Sequence, residues 1–425
     1  MNASAYFTVL GRNPDFARLW MAQVVSLLGD WFSTIVLSAL VVRYSPGSEG
    51  LAVSGLLMAR FIPPMLISPV AGALVDRFDR KRLLIWSNLL RVLIVLGFIA
   101  TTDNPDLLWL IYVLSVLQFI LSAAFEPGQS ALIPNVVQPD DLVAANTLVS
   151  VTWSVMLALG AVVGGVVATL LGPNTALLID AATFLVAAAF IASIRNYKGN
   201  APSSGVEPTD TSVREGLRFV RSRPDVGAVL LVKFGNSLGN VDTLMTIFAT
   251  QVFVLGAGGQ LSLGIMYSAF GVGAILGPLL LNRFNNGTVP VMRRLIGVGF
   301  LWAALGWVIM GGAGSLVVVC LALLMRAMGG SVNWTYSSII IQKSVPDTHL
   351  GRVFSLDMAL FYLATVASTL VHGSVIDLVG SQRVHWVAIA TFFVSLVPLA
   401  VWIYLTRWLA RRSPQDAAPL AVSGD

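Results

Sequence analysis

The sequence predicts an all-α membrane protein with 12 transmembrane helices in two pseudo-symmetric six-helix bundles. Hydrophobic residues make up 56% of the 425 and charged residues only 11%, whereas a soluble domain carries about 25% charge. The apolar stretches recur at about 20 residues, the length a helix needs to cross a hydrocarbon layer about 30 Å thick. Basic residues gather on one side of these stretches. A water-soluble enzyme, a nucleic-acid-binding module and a disordered scaffold all need a charged exterior, so this composition argues against each of them.

The spans read in order as 19–42, 51–75, 83–101, 107–125, 148–171 and 175–194, then 226–255, 261–281, 289–310, 316–341, 353–376 and 384–405. The first 20 residues lack a basic segment leading into a short apolar core and a small-residue cleavage site, so no cleaved leader is expected. Cys320, the lone cysteine, falls inside the tenth span and can form no internal disulfide.

Orientation follows from the cations. With both termini on the cytoplasmic side, 20 of the 26 Lys and Arg lie in cytoplasmic stretches, and only Arg43 and Arg383 lie opposite. This is the positive-inside pattern, and it places both termini in the cytoplasm. The basic pI of about 9.6 then reflects topology and affinity for anionic membrane lipids, with no call for nucleic acid.

The two halves repeat at an offset of roughly 206 to 210 residues. Ser26-Leu27-Leu28-Gly29-Asp30 corresponds to Asn236-Ser237-Leu238-Gly239-Asn240, Asp76-Arg77-Phe78 to Asn282-Arg283-Phe284, and Gln138-Pro139-Asp140 to Val345-Pro346-Asp347. The expected organisation is an N-terminal bundle over 1–195, a cytoplasmic linker over 196–224, a C-terminal bundle over 225–407 and a cytoplasmic tail over 408–425. Within the linker, Ser212 and Glu215 have capping-box spacing ahead of an amphipathic stretch. Val213, Leu217 and Val220 form its apolar stripe and Arg214, Arg218 and Arg221 share another face, so it is expected either on the cytoplasmic leaflet or as a solvated linker.

Between spans two and three, Gly72-Ala73-Leu74-Val75-Asp76-Arg77-Phe78-Asp79-Arg80-Lys81-Arg82 resembles the signature loop of the major facilitator superfamily, with Asp79 where the second glycine usually stands. Gly29-Asp30-Trp31, Arg60 with Pro63, Arg91, Ile133-Pro134 and Gly351-Arg352-Val353-Phe354-Ser355 are similar to the branch that holds macrolide-efflux and enterobactin-exporter proteins. Gly160-Ala161-Val162-Val163-Gly164-Gly165 resembles the antiporter motif of span five, with alanine in place of its proline. The resemblance implies a bacterial inner-membrane carrier of major facilitator fold, a monomer by default, with spans one, four, seven and ten lining a central cavity. It also implies a gating latch from Gly72, Asp76, Arg77, Arg80 and Arg352, in which the Asp76 carboxylate meets the N-terminus of span eleven. For Arg77, Arg80, Lys81 and Arg82 a purely topogenic role stands beside the latch.

An ionisable side chain in hydrocarbon costs about 2.5–3.5 kcal/mol on insertion scales, so each one within a span faces protein or a wet cavity. On the cavity-lining spans these are Asp30, Glu126, Asp242 and Arg326. They are candidates for proton or substrate coupling, or else for structural ion pairs with Arg91 or Arg326. Glu126 precedes Pro127, whose missing amide proton can kink span four. Arg60, Arg91, Lys233, Asp180 and Asp357 read as structural. Trp31, Phe32, Trp153 and Trp334 either line the cavity for a bulky apolar or cationic compound or pack on lipid and neighbouring helices.

The run Gly271-Val272-Gly273-Ala274-Ile275-Leu276-Gly277 misses the dinucleotide fingerprint by one residue and reads as helix packing. No phosphate-loop or G-x-S-x-G motif occurs, and His349, His372 and His385 form no close metal-binding pair. No cofactor is expected. The leading expectation is a secondary carrier that exports a small amphiphilic compound against inward proton flow. Alternatives are a lipid or siderophore carrier, an uptake permease or, in a different class, a membrane-embedded enzyme or receptor.

Overall fold

The computed structural model describes residues 3–77, 79–195, 213–239 and 241–412. The side chains of 68–77, of 213–215 and of Glu126 lie outside what is described, as do Ser212, Asn240 and the tail from 413 onward. The first half is α1 (Ala3–Arg12), α2 (Pro14–Arg43), α3 (Glu49–Arg77), α4 (Arg80–Ile99), α5 (Leu108–Val136), α6 (Leu142–Leu171) and α7 (Pro173–Ala192). The second is α8 (Val213–Ser222), α9 (Pro224–Asn236), α10 (Val241–Ile247), α11 (Gln260–Asn282), α12 (Val289–Gly311), α13 (Leu316–Ser344), α14 (Asp347–Val379) and α15 (Val384–Arg412).

Proline opens α2, α7 and α9, where its missing N–H removes no helical bond. Gly172 (φ 84°) and Gly380 (φ 90°) turn the chain between consecutive long helices in a backbone region open to glycine. Asp79, the departure from the signature loop, has a local role: its carboxylate accepts from Arg82 N at 2.8 Å and caps α4.

Among the described residues, eleven helices are long and apolar enough to cross a membrane. The expected count of 12 is not reached by continuous helices. The segment read as 226–255 is divided into α9, of 13 residues, and α10, of 7, which runs on into a π-helical turn at Phe248–Val252. Neither piece alone spans about 30 Å. The division falls at the second copy of the repeat, and at Gly239 a Cβ would stand 2.8 Å from the Trp307 indole of α12.

Three apolar clusters hold the helices together. One belongs to the first half alone and joins Phe16, Leu84, Leu132 and Ile191; a second belongs to the other half and joins Val229, Ile296, Ile340 and Val353. Both lie toward the end that carries the chain termini. The third, at the remote end, runs through both halves and includes Ile35, Phe98 and Ala168 with Phe248, Met266, Trp307 and Ile376. The halves are thus fused at the remote end, while each keeps its own core at the terminal end.

The glycines of α6 and α11 explain that fusion. Cβ atoms would stand 2.5 Å from Trp31 at Gly160, 3.1 Å from Phe32 at Gly164 and 2.7 Å from the Gln260 carbonyl of α11 at Gly165. On α11, a Cβ at Gly264 would stand 2.5 Å from the Ala161 carbonyl and one at Gly271 2.7 Å from the Ala158 amide, whereas at Gly273 and Gly277 it would run into the backbone of Leu324 and Met328 of α13. The glycine-rich run of α11 therefore packs helices on two sides.

Candidate functional site

The charged residues of the first half converge near the middle of the bundle. Asp30 is the 17th of the 30 residues of α2. Its carboxylate lies in the field of Arg91 from α4 and Arg60 from α3, and Gln118 of α5 approaches Oδ1 at 3.5 Å, a long and weak hydrogen bond. Asp180 of α7 is fully buried in the field of both Asp30 and Arg91. The Ser33 hydroxyl donates to its Oδ2, and Thr183 Oγ1 lies 3.4 Å from its Oδ1. A Cβ at Gly29 would stand 2.4 Å from Asp180 Oδ1, so glycine lets the second acid lie against the backbone beside Asp30. Arg91 is buried between the faces of Phe125 and Phe184, at 5.1 and 5.3 Å. Asp180, Arg60 and Arg91, read from sequence as structural, thus surround Asp30.

Tyr267 of α11 joins this group to the second half. Its hydroxyl donates to Asp242 Oδ1 at 2.8 Å, its ring lies 5.0 Å from that of Trp31, and Arg60 acts on it across the interface. Asp242 in turn lies in the field of Arg326 from α13. Arg326 Nη2 donates to the Asn236 carbonyl at 2.9 Å, and the guanidinium lies 5.3 Å over the Trp307 ring. That carbonyl ends α9, one of the acceptors a broken helix leaves without a partner, so the cation satisfies the break. Nothing in the spacing of Tyr267 marked it. These groups therefore share one buried region across the two halves: Arg60 acts on both Asp30 and Tyr267, Tyr267 hydrogen-bonds Asp242, and Asp242 lies in the field of Arg326.

The predicted aromatics separate. Trp31 belongs to the network, and Trp334, 40% exposed, covers Lys233 at 4.3 Å. Phe32 is 2% exposed against Gly164 and serves packing, and Trp153, 54% exposed, stands apart from the charged groups described above. The Glu126 side chain lies outside the described set. A separate hollow of about 780 Å3 between α3 and α5, walled by Met58, Ile62, Tyr112 and Ile120, contains none of these charges. Among the described residues no group of three or more His, Cys, Asp or Glu could hold a metal ion.

A family model described as "Transmembrane secretion effector" matches residues 6–418. The chain belongs to the transmembrane secretion effector family. It is 25% identical to the MFS-type transporter YfiS of Bacillus subtilis strain 168 over 427 residues, covering 96% of this chain and 95% of that one. It is also 25% identical to macrolide efflux protein A of Streptococcus pyogenes over 392 residues, 87% of this chain and 91% of the relative. The nucleoside transporter NupG has the same fold (TM-score 0.72, 13% identity, 92% of this chain and 99% of that one). So does a bacterial homologue of Spinster in an inward-facing, unoccupied conformation (TM-score 0.70, 12% identity, 97% and 99%). The protein is a multi-pass membrane transporter of the major facilitator type.

In this transporter the remote end is held by polar contacts as well as apolar ones. Asp377, near the end of α14, accepts from Gly50 N at 2.7 Å and Leu51 N at 3.0 Å, in the first turn of α3. One turn further along, Ser54 Oγ donates to the Thr369 carbonyl at 2.8 Å, and a Cβ at Gly373 would stand 2.6 Å from the Gly50 carbonyl. Asp377 was not singled out by sequence reasoning.

At the terminal end the predicted latch is only partly described. Gly72 lies within α3, but the side chains of Asp76 and Arg77 lie outside the described set; Arg80 opens α4, and among the described residues no atom stands within 4 Å of where a Cβ at Gly351 would lie. The linker helix packs against α14 beside Arg352: a Cβ at Gly216 of α8 would stand 3.1 Å from Arg352 Cβ, and Phe219 stacks on His349 at 4.6 Å. The amphipathic linker helix thus docks on the N-terminal part of α14, with Leu217 and Arg218 left exposed.

Proposed function

We propose that the transporter is a secondary carrier of the bacterial inner membrane that exports a small amphiphilic compound in exchange for inward-moving protons. The observation that carries this reading is the cross-bundle network. Two acids, Asp30 and Asp180, lie in the field of arginines deep in one half, and across the interface Tyr267, in the field of Arg60, hydrogen-bonds Asp242, which lies in the field of Arg326. Acids placed there load or release a proton according to which side reaches them, and their charge state then acts on the opposing half. Asp30, Glu126, Asp242 and Arg326 couple proton and cargo, and Trp31 and Trp334 supply apolar faces to the cargo. Efflux by the macrolide relative supports the outward direction.

In this reading the bundles 1–195 and 225–407 are the moving bodies, 196–224 joins them, and both chain ends lie in the cytoplasm as a monomer's would. The terminal end, where the halves keep separate cores, is then the cytoplasmic mouth. Gly72, Asp76, Arg77, Arg80 and Arg352 close that mouth in the alternate state, with the Asp76 carboxylate on the N-terminus of α14.

Reconstituted vesicles under an imposed pH gradient, loaded in turn with a panel of cargoes that includes a macrolide, test this. An inward proton gradient should drive cargo movement, and an uncoupler should abolish it. Asp30→Asn should lose gradient-driven movement by at least about 10-fold, within the range of coupling free energies between sites, about 1–3 kcal/mol, while keeping cargo exchange at equal pH. Movement that ignores the uncoupler, or an Asp30→Asn variant that still follows the gradient, would reject proton coupling.

A further inference from the structure

A second buried ion pair lies outside the network. Lys233 Nζ of α9 is 2.6 Å from Asp357 Oδ2 of α14, with the side chains 2% and 0% exposed. The other carboxylate oxygen, Oδ1, is buried without a hydrogen-bond donor among the described residues. Trp334 lies over the ammonium at 4.3 Å and Phe354 at 5.8 Å, and Phe361 meets Trp334 edge-on at 5.1 Å. The pair is shielded from bulk solvent, walled by rings, and among the described residues holds one acceptor without a donor.

The charges around it are few. From α9 the facing charge is Lys233. From α13 comes Trp334, and α15 meets α9 through Pro398, against Gly235. On α14 itself, His349 and Arg352 lie toward the N-terminus beneath α8, whose Arg218 and Arg221 are exposed. Besides its burial, Asp357 is thus governed by Lys233.

Its position gives the pair leverage. The helix α14 also carries Thr369, Gly373 and Asp377, which hold the two halves together at the remote end. The pair fastens that same helix to α9, the first piece of the divided seventh segment.

We propose that Asp357 is a proton-binding site separate from the Asp30 network, and that a proton taken there dissolves its pair with Lys233 and releases α14 from α9. The proton adds to the carboxylate to give a neutral acid, and Lys233 keeps its charge. An ammonium left unpaired in dry surroundings is strongly unfavourable. The protonated form therefore favours the arrangement that admits water to Lys233. The use of this step in transport rests on the proton-coupled reading above, whereas proton binding itself does not.

The test uses the full-length protein with Cys320→Ser in lipid nanodiscs, with no cargo. Infrared difference spectra between pH 8 and pH 5 report buried protonated carboxyls, and spin labels at Gln138 and Asn286 report the terminal-end opening. The wild type should show a buried-carboxyl band at low pH and a pH-dependent distance shift. Asp357→Asn should lose the part of that band that Asp30→Asn retains, and should hold the low-pH distance at both pH values. Should Asp357→Asn fail to fold, the neutral pair Lys233→Met with Asp357→Leu should likewise show a diminished band and no shift. A band of wild-type size together with a persisting shift in these variants would overturn the assignment. A shift that survives Asp357→Asn but disappears in Asp30→Asn would overturn it while leaving proton coupling intact. Absence of any wild-type response would sink both.

Discussion

Replacing Asp377 with alanine is expected to open the remote end of the transporter. The Gly50 and Leu51 amides that the carboxylate receives, at 2.7 and 3.0 Å, belong to the first turn of α3, where helical N–H groups have no intrahelical acceptor. A carboxylate there gains both the hydrogen bonds and the positive end of the helix dipole. Loss of such a cap costs about 1–2 kcal/mol, a population shift of roughly 5- to 30-fold between closed and open remote ends. Spin labels at Asp106 and Gln382, both exposed on remote-end loops, should read this as a longer distance. Asp377→Asn keeps an acceptor and should shift the balance less. An unchanged distance in Asp377→Ala would mean that apolar contacts alone close this end. The arrangement mirrors the latch proposed for Asp76: in each, an acid at the C-terminal end of one interface helix meets the N-terminus of the other.

The second large effect is expected at Arg326. Its guanidinium satisfies the Asn236 carbonyl at the end of α9, faces Asp242 and lies over Trp307. Arg326→Met keeps most of the volume but leaves the α9 end without its donor and Asp242 without its cation. Removing one partner of a buried charge interaction costs about 3–5 kcal/mol. Both thermal stability in detergent and transport should fall sharply. Arg326→Lys restores a charge but not the planar fork that reaches Asn236 and stacks on Trp307, so it should recover stability in part. A Met variant with wild-type melting and transport would show that the break in the seventh segment does not depend on this cation.

The spans and the half-chain repeat were legible in the sequence because hydropathy over about 20 residues is a local property. Asp30, Asp242 and Arg326 could also be singled out there, since a charge in an apolar span is itself a signal. The division of the seventh segment was not legible. Ser26-Leu27-Leu28-Gly29 runs through an intact α2, whereas its repeat Asn236-Ser237-Leu238-Gly239 ends α9. Trp307 against Gly239 and Arg326 on the Asn236 carbonyl make the difference, and both are tertiary contacts. Facing was equally hidden: Trp31 and Phe32 are neighbours in sequence, yet one meets Tyr267 and the other is sealed against Gly164. The partnership of Asp180 with Asp30 depends on the missing side chain of Gly29, which a charge pattern cannot show. The linker helix meets α14 not through Leu217 of the expected stripe, which stays exposed, but through Gly216 and Phe219 against Arg352 and His349, tertiary contacts that a stripe pattern cannot show.

Distances at both ends of one transporter decide whether the halves rock about the central network. Labels at Gln138 and Asn286 report the terminal end, and labels at Asp106 and Gln382 report the remote end, in nanodiscs at pH 8 and pH 5 with and without a transported cargo. One distance should shorten as the other lengthens. Two distances that stay fixed under every condition, or that lengthen together, would contradict alternating access in this protein.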